Sequence, residues 1–233
     1  MSHLTGTERA RYVQGMFSRI AGRYDLMNRL MTFGQDLHWR KLLLDKAQLP
    51  VQGKLLDLGS GTGDIAFAAL QRTPLSLCIA ADFTEEMMRV GQKRPHGDQI
   101  CWAGNDALNL PYSADQFDAV TSGFMMRNVI DVNRALAEQY RVLKPGGWIV
   151  CLDTTPPAKN LLRPFISFHM HVVIPTLGKL LTGASDAYTY LPDTTEGFLS
   201  AETLAGRLSA VGFQAVGYQR LNFGTIALHW GQK

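Results

Sequence analysis

Residues 55–64 read LLDLGSGTGD, with an acid, Asp57, just ahead of three glycines at alternate positions, Gly59, Gly61 and Gly63. Glycines in that spacing let a chain turn sharply and come close to a ligand, since no Cβ excludes positive φ. Loops of this kind hold nucleotide-like cofactors of more than one sort, so the spacing has to discriminate. A dinucleotide loop wants G-x-G-x-x-G, and its third glycine position is Asp64 in this chain. The order found, acid-x-G-x-G-x-G, is instead that of sites for S-adenosylmethionine (SAM). That molecule offers an ammonium and a sulfonium, and no phosphate for a helix N-terminus to hold.

Two further acids stand at corresponding places downstream. Asp82 closes the apolar run LSLCIAAD, where a carboxylate accepts both hydroxyls of a ribose, although NAD enzymes share that feature. Asp106, in GNDALNLP, follows a third run and suits either the amino group of an adenine or the capping of its own turn. After the fourth run, QFDAVTSG, the chain reads FMMRNV, which sets Arg127 and Asn128 side by side. A guanidinium stays protonated, so Arg127 suits stabilising negative charge or orienting a water, not removing a proton itself. The other reading is a structural arginine that satisfies carbonyls at the end of that run. With LKPGG ahead of a fifth run, these positions favour methyl transfer over hydride transfer.

The elements that must hold these residues follow from periodicity. Residues 7–47 read as helix in two or three pieces, broken near Gly22 and Gly34. KLLDLG is then a short buried strand, DIAFAALQR a helix, LSLCIAAD a second strand, and TEEMMRVGQKR a helix with Thr84 as its cap. QICWAG is a weaker third strand and QFDAVTSG the fourth. Asp131 caps a helix whose buried stripe is Leu136, Tyr140 and Leu143, and KPGG stops it. WIVCLD is the fifth strand. A helix near residues 201–211 and two strands, FQAVGYQR and FGTIALHWG, close the chain.

Alternating strand and helix imply right-handed crossovers and a parallel sheet with helices on both faces. The last two strands, joined by a few residues, suit an antiparallel hairpin at the sheet's end. The expected fold is therefore a Rossmann-like α/β domain with a mostly parallel seven-stranded sheet and an antiparallel C-terminal strand. One domain of residues 1–233 suffices: a helical lid at 1–50, a SAM-binding core at 51–155, an acceptor-site insertion at 156–200, and a C-terminal helix and hairpin at 201–233.

Composition narrows the function. The chain of 233 residues is 46% hydrophobic and 18% charged with a net charge of +3, too mild a balance for a nucleic-acid protein. Cys78, Cys101 and Cys151 lack C-x-x-C spacing and fall in strands, which reads as small core residues in a reducing compartment, without a metal. MSHLTGTERARYV has no apolar core of a signal peptide, so the expected location is the cytoplasm. Residues 161–181, LLRPFISFHMHVVIPTLGKLL, are too interrupted by proline, histidine and charge to span a bilayer. His169 and His171, two apart on a helix, point in different directions and make a poor metal pair.

Beyond these motifs the chain resembles the ubiquinone/menaquinone biosynthesis C-methyltransferases. YDLMNRLMTFGQDLHW (24–39), RNV (127–129), RVLKPGGWIVCLDTT (141–155), AYTYL and ALHWGQK carry the resemblance along nearly the whole length. By it, the cofactor contacts fall on Thr62, Asp82, the Asp106–Ala107 pair and Gly123. With Asp57, Gly59, Gly61 and Gly63 of the loop, and Phe83 beside Asp82, they make up the expected cofactor site. The reaction it implies moves a methyl group from SAM to a ring carbon of a polyprenylated quinol, demethylmenaquinol. Arg127, Asn128 and Tyr24 are the expected catalytic residues, with Arg127 handling phenolate charge. Asp25, Asn28, His38 and Trp39 belong to the lid, and Tyr188 and Tyr190 to a segment near the acceptor.

The resemblance implies a prenyl-quinol partner. Residues 161–181 then either line a groove for the tail, lie on the inner face of the membrane, or pack as a lid or against a second copy in a homodimer. Alternatives are the ubiquinone-pathway methoxy-benzoquinol reaction, another phenolic or lipid acceptor, and a non-catalytic SAM-binding subunit. The sequence departs from the family pattern at Thr32 (usually serine), Asp36 (usually histidine), Asp153 and Thr155 (glutamate and serine), and Met125–Met126 (glycine and leucine). The two methionines are expected to reshape the pocket for the ring.

Overall fold

The computed structural model describes residues 6–157, 163–182 and 185–233. Leu161 and Leu162 of the apolar stretch, and the side chain of Tyr188, lie outside what it describes. The N-terminal helical region forms α1 (Gly6–Ile20), α2 (Tyr24–Met31) and α3 (Gln35–Ala47). They are separated by a short turn at Ala21–Arg23 and by a bend ending in Gly34, whose φ is 75°. Then follow β1 (Gly53–Leu58), α4 (Asp64–Arg72), β2 (Leu75–Asp82), α5 (Glu85–Gln92), β3 (Cys101–Gly104), β4 (Phe117–Gly123), α6 (Val132–Val142) and β5 (Leu143–Thr154). The apolar insertion folds as α7 (Arg163–Phe168), a π turn (His169–Val173), α8 (Ile174–Thr182) and α9 (Ser185–Glu196). The chain ends in α10 (Ala201–Val211), β6 (Gln214–Leu221) and β7 (Ile226–Gln232).

The seven strands run in the order β3-β2-β1-β4-β5-β7-β6. β1 to β5 pair in parallel, and β7 inserts antiparallel between β5 and β6. The order turns back between β1 and β4, so the loops after β1, β2 and β4 open on one edge, where such sheets take ligands. Alternation along β1 sends Leu55 to a core shared with α3 and α4, and Leu56 and Leu58 to the opposite core under α6 and α10. Trp39, Leu43 and Ala47 anchor α3 in the first of these, at roughly 1.5–3 kcal/mol for each large side chain buried.

Three details differ from the sequence reading. Leu143 is not on the helical stripe: α6 stops at Val142, and β5 begins at Leu143, five residues ahead of Trp148. Its KPGG turn is absorbed into the strand because Gly146 takes φ 82°. Thr84 holds the N-cap position of α5 without a side-chain cap bond, since its backbone N–H is turned to Asp82 Oδ1 at 2.7 Å. Cys101 is exposed on the short edge-side strand β3, whereas Cys78 and Cys151 are buried as expected. Asp131 does cap α6, accepting from the Arg134 N–H at 3.0 Å.

Within the insertion, Pro175 has no N–H to give the preceding turn, and the wider π turn absorbs that loss without breaking the rod. Met16, Ile20, Met27, Ile174 and Tyr190 form a third core, apart from the sheet, that joins the insertion to α1 and α2. Among the described residues no helix is long and apolar enough to cross a membrane. Among them, too, no group of three or more His, Cys, Asp or Glu is placed to hold a metal.

Candidate active site

The glycine loop leaves β1 with Gly59, Gly61 and Gly63 at φ 61°, 56° and 84°. A Cβ on Gly59 would stand 2.6 Å from Met125 Cγ, and one on Gly63 would stand 2.5 Å from the Trp102 ring, so both positions require glycine. Asp82, at the end of β2, uses one lone pair on each side of this loop: Oδ2 accepts the Gly61 N–H at 2.8 Å and Oδ1 the Thr84 N–H at 2.7 Å. The carboxylate is thereby fixed with lone pairs to spare. Burial raises its pKa, against the pull of these backbone N–H groups.

Around it lies a cavity of about 160 Å³. Gly59, Gly61, Asp82 and Phe83 line it, as do Asp106, Ala107 and Gly123, from the ends of two more strands. Asn128 and Tyr24 reach it as well. Asp106 makes its own turn, accepting the Leu108 N–H at 2.9 Å, so the capping role holds alongside its place in the cavity. Asp57, Thr62 and Gly63 stand behind the lining. Asp57 is fully buried; its Oδ1 accepts from the Thr121 hydroxyl at 2.8 Å and its Oδ2 has no partner among the described residues. Burial pushes this carboxyl up to about 7, in spite of the Thr121 hydrogen bond and the Arg40 charge. Thr62 gives its hydroxyl to Asp25 at 2.6 Å.

A second cavity, of about 410 Å³, opens beside the first. Phe17, Tyr24 and Phe124 line both and form the wall between them. Phe124 follows β4 directly with φ 59°, a left-handed backbone that throws its ring into that wall. The rest of the larger cavity is mostly apolar, with Met16, Ile20, Trp39, Ile166 and Met170 among its lining. Its polar members are telling. Asn28, Arg127, Thr154 and Thr195 line it, and each has a buried polar atom without a partner among the described residues: Nδ2, Nε and the two hydroxyls.

Arg127 is buried and paired. Its Nη1 donates to Asp153 Oδ1 at 2.6 Å and its backbone N–H to Asp153 Oδ2 at 3.1 Å. The guanidinium thus already has its counter-charge, and its Nε is buried without a partner among the described residues. Asn128 faces the other way, donating to the Phe124 carbonyl at 3.1 Å and accepting from the Tyr190 hydroxyl at 3.4 Å. The Tyr24 phenol is pushed up by burial, opposed by the neighbouring Asn28 amide and the nearby Arg127 charge. It therefore stays protonated near neutral pH and acts as a donor, not a base. Of the residues expected in the lid, Trp39 is buried and His38 exposed.

These observations meet in the comparisons with known proteins. A model of the ubiE/COQ5 methyltransferase family matches residues 5–233. The chain belongs to that family. It is 48% identical to a ubiquinone/menaquinone biosynthesis C-methyltransferase of Desulfotalea psychrophila, over 95% of this chain and 90% of the relative. It is 41% identical to a demethylmenaquinone methyltransferase of Thermus thermophilus, over 94% of this chain and all of the relative (100%). Among solved structures, a SAM-dependent methyltransferase of Thermotoga maritima, described as a possible histamine N-methyltransferase, superposes with a TM-score of 0.66 at 21% identity, covering 94% of this chain and 99% of that one. That likeness concerns the fold.

Two departures from the family pattern turn out to be partners. Thr32 donates to Asp36 Oδ1 at 3.0 Å, and Asp36 is fully buried between Arg29 and Arg40. Both arginines also reach Asp64 Oδ2, at 3.0 and 2.7 Å, while Arg94 holds Asp64 Oδ1 at 2.5 Å. The network clasps α2 and α3 to the helix that follows the glycine loop. Its arginines hold Asp64 below its ordinary pKa. Helix α1 is tied over the smaller cavity by Gln14 to the Phe83 carbonyl at 2.9 Å and Arg9 to the Arg127 carbonyl at 2.8 Å. The two methionines do not shape the larger cavity. Met125 lies against Gly59 in the smaller one, and Met126 is fully buried beneath the sheet, where the Gln139 amide meets its sulfur at 3.7 Å.

Sequence reasoning missed Asp153, Thr154 and Thr195 as site residues. Asp153 and Thr154 had a usable signal, since they end β5, the strand beside the one that delivers Arg127. Thr195 had none. It comes from α9, and only the packing of the insertion brings it in.

Proposed function

We propose that this chain transfers a methyl group from SAM to a ring carbon of a polyprenylated quinol, demethylmenaquinol, in quinone biosynthesis. The observation that carries the reading is the pair of adjoining cavities, one built on the glycine loop and the acids at the strand ends, the other larger and lined mostly by apolar helical side chains, with Phe17, Tyr24 and Phe124 lining both. The smaller cavity fits SAM: Asp82 retains free lone pairs for a ribose, Asp106 stands a strand further for an adenine, and the glycine loop, packed on Met125 at Gly59, lines its floor. When bound, SAM supplies an electrophilic methyl group on its sulfonium. The names of the relatives point to the same chemistry.

The residues divide the remaining work. An aromatic ring carbon becomes nucleophilic as a neighbouring hydroxyl gives up its proton to water, and after the methyl group adds, that carbon loses its own proton to water to restore the aromatic ring. Negative charge on the oxygen therefore needs a donor. The Nε–H of Arg127 provides it, held in place by Asp153, and Tyr24 provides a second from its protonated phenol. Asn128 fixes the loop, and Thr154 and Thr195 take the ring's other oxygen. The methyl group and the ring carbon must meet in line and in direct contact, so the side chains of Phe17, Tyr24 and Phe124 part where the two ligands touch, and that alignment does the greater part of the catalysis. In this reading residues 1–50 are the lid, 51–155 hold the cofactor and 156–200 surround the acceptor, in a cytoplasmic enzyme that meets the membrane at its periphery.

The test is turnover of SAM labelled in its methyl group, with a naphthoquinol and a benzoquinol acceptor side by side. Label is expected on the naphthoquinol. Faster transfer to the benzoquinol moves the reading to the ubiquinone-pathway reaction, and transfer to neither overturns it.

A further inference from the structure

The larger cavity has an unusual mouth. Three of the phenylalanines that line it, Phe33, Phe124 and Phe223, sit in left-handed backbone, at φ 51°, 59° and 55°. A bulky side chain seldom adopts that conformation without cause. Phe124 has its cause in the wall between the cavities. Phe33 and Phe223 do not bury their rings at all: they are 79% and 67% exposed. Both belong to the same short pattern, Thr32-Phe33-Gly34 and Asn222-Phe223-Gly224, with each glycine left-handed as well. Two turns remote in sequence thus hold a phenylalanine outward at the rim of one apolar cavity. A third, Phe165 on α7, also lines the cavity and is 74% exposed.

The surface continues along the insertion. Phe165, Phe168 and Val172 follow one another at three and four residues, one face of a helical rod, and all three are exposed. The Phe33 ring rests against His169 of the same rod, with centroids 5.9 Å apart, so the turn and the rod make one face. The turn segments 32–35 and 222–225 contain no charged residue. Between Arg163 and Thr182 the only charged residues are Arg163 and Lys179, both basic. One exposed acid, Glu196 of α9, stands 3.7 Å from His171 of the rod, so the face carries little charge of either sign and suits an apolar layer better than a protein partner selected by charge.

We infer that Phe33, Phe165 and Phe223 form an aromatic rim that seats on a lipid bilayer, with the exposed stripe of Phe168 and Val172 lying in the interface beside it. Aromatic rings favour the headgroup boundary, and an amphipathic rod lies in its plane. Docked in this way the mouth of the cavity opens onto the hydrocarbon, and the ring of a lipid-tailed acceptor enters while its tail remains in the membrane. The purpose of the surface rests on the quinol reading. Its test uses no turnover, so the two fail separately.

Flotation with vesicles of phosphatidylcholine and phosphatidylglycerol measures the seat directly. The intact chain is expected to float, and to keep floating at high salt, because apolar contact and not charge holds it. The triple variant Phe33→Ser, Phe165→Ser, Phe223→Ser is expected to lose about tenfold or more of its partition. Its affinity for SAM, bound in a cavity that none of the three lines, reports whether it is folded. Should that variant fold poorly, Phe165→Trp replaces it, and the emission of the added indole is expected to shift to the blue on mixing with vesicles. A wild-type chain that stays at the bottom of the gradient overturns the inference, as does flotation abolished by salt, an unchanged partition of the folded triple variant, or an indole emission in Phe165→Trp that is indifferent to vesicles. If the substitutions instead split a dimer while vesicle binding is unmoved, the rim is a contact between two copies and the bilayer seat is wrong.

Discussion

The two cavities meet at one wall and are built in opposite ways. The smaller is made where strands end: most of its lining comes from the loops after β1, β2, β3 and β4, closed over by α1, Tyr24 and Met87, and left-handed glycines set the turn of its first loop. The larger is made of side chains from α1, α2, the end of β5, the insertion and the turn before β7, which lie far apart in sequence. In the first, the backbone itself holds the polar groups, as Gly61 and Thr84 hold Asp82. In the second, four lining residues each have a buried polar atom without a partner among the described residues, whereas the unpartnered Asp57 Oδ2 and Ser60 Oγ of the glycine loop lie behind the lining of the first. A site held by its own backbone is rigid before any ligand arrives, whereas unpaired buried polar atoms carry a cost that a ligand can relieve. The cofactor end is thus fixed by the fold, and the acceptor end is left to whatever packs on it.

The largest effect that separates the two comes from Asp82. Asp82→Ala is expected to weaken SAM binding by about 10²–10³-fold, the worth of two hydrogen bonds to a charged acceptor. Titration calorimetry measures it, and a loss below tenfold sinks the ribose role. The pH dependence has a definite sign. Because burial raises the Asp82 pKa, its ionised form is lost on acidification at a pH above the ordinary carboxylate range, and SAM affinity falls with it. Asp82→Asn removes that dependence. Stability of the free protein runs the other way. Asp57, raised from 3.8 to about 7, binds its proton more tightly in the folded chain, so stability declines as pH rises through that window.

The same contrast explains what the sequence revealed. Asp57, the three glycines, Asp82 and Asp106 lie within a few residues of strand ends, so their roles follow from spacing once the strands are read. Seven strands, their parallel core and the final hairpin were legible for the same reason: alternation and turn residues are local. What was not legible depends on packing. Thr195 and Phe223 reach the larger cavity only through the placing of α9 and the β6–β7 turn. The buried Asp36 between Arg29 and Arg40 looked like a mild departure from a pattern, and is the centre of a charge network. Met125 and Met126 looked like pocket residues because they stand where the family pattern has glycine and leucine. The chain turns so sharply after Phe124 that one faces the cofactor cavity and the other the core.

Arg127 tests the wall from the acceptor side. Arg127→Lys keeps a positive charge against Asp153 but loses Nε and the planar fork. If the Nε–H donates to the developing phenolate, kcat falls by about 10²-fold, the usual cost of one such donor, while SAM affinity stays within about twofold. Single-turnover kinetics with a naphthoquinol give the first number and calorimetry the second. Near-normal turnover with intact SAM binding would make Arg127 a structural arginine, satisfied by Asp153 and holding the end of β5.

The smallest expected effect is the sharpest, because it moves two measurements in opposite directions. Thr154→Val and Thr195→Val keep the shape of the side chain and remove a buried hydroxyl that has no partner among the described residues. Removing an unsatisfied hydroxyl relieves its desolvation, so each variant should melt higher, by about 1 kcal/mol of stability. If the same hydroxyl binds a ring oxygen of the acceptor, the KM for the quinol should rise about tenfold, since one hydrogen bond is lost from the complex. SAM affinity should not change, as neither residue lines the smaller cavity. A merely structural threonine can give the first result without the second. A pair of variants that are more stable and bind the quinol as well as before would show that the unpaired hydroxyls are a cost of packing, and the contrast between a backbone-held cofactor cavity and a receptive acceptor cavity would fail.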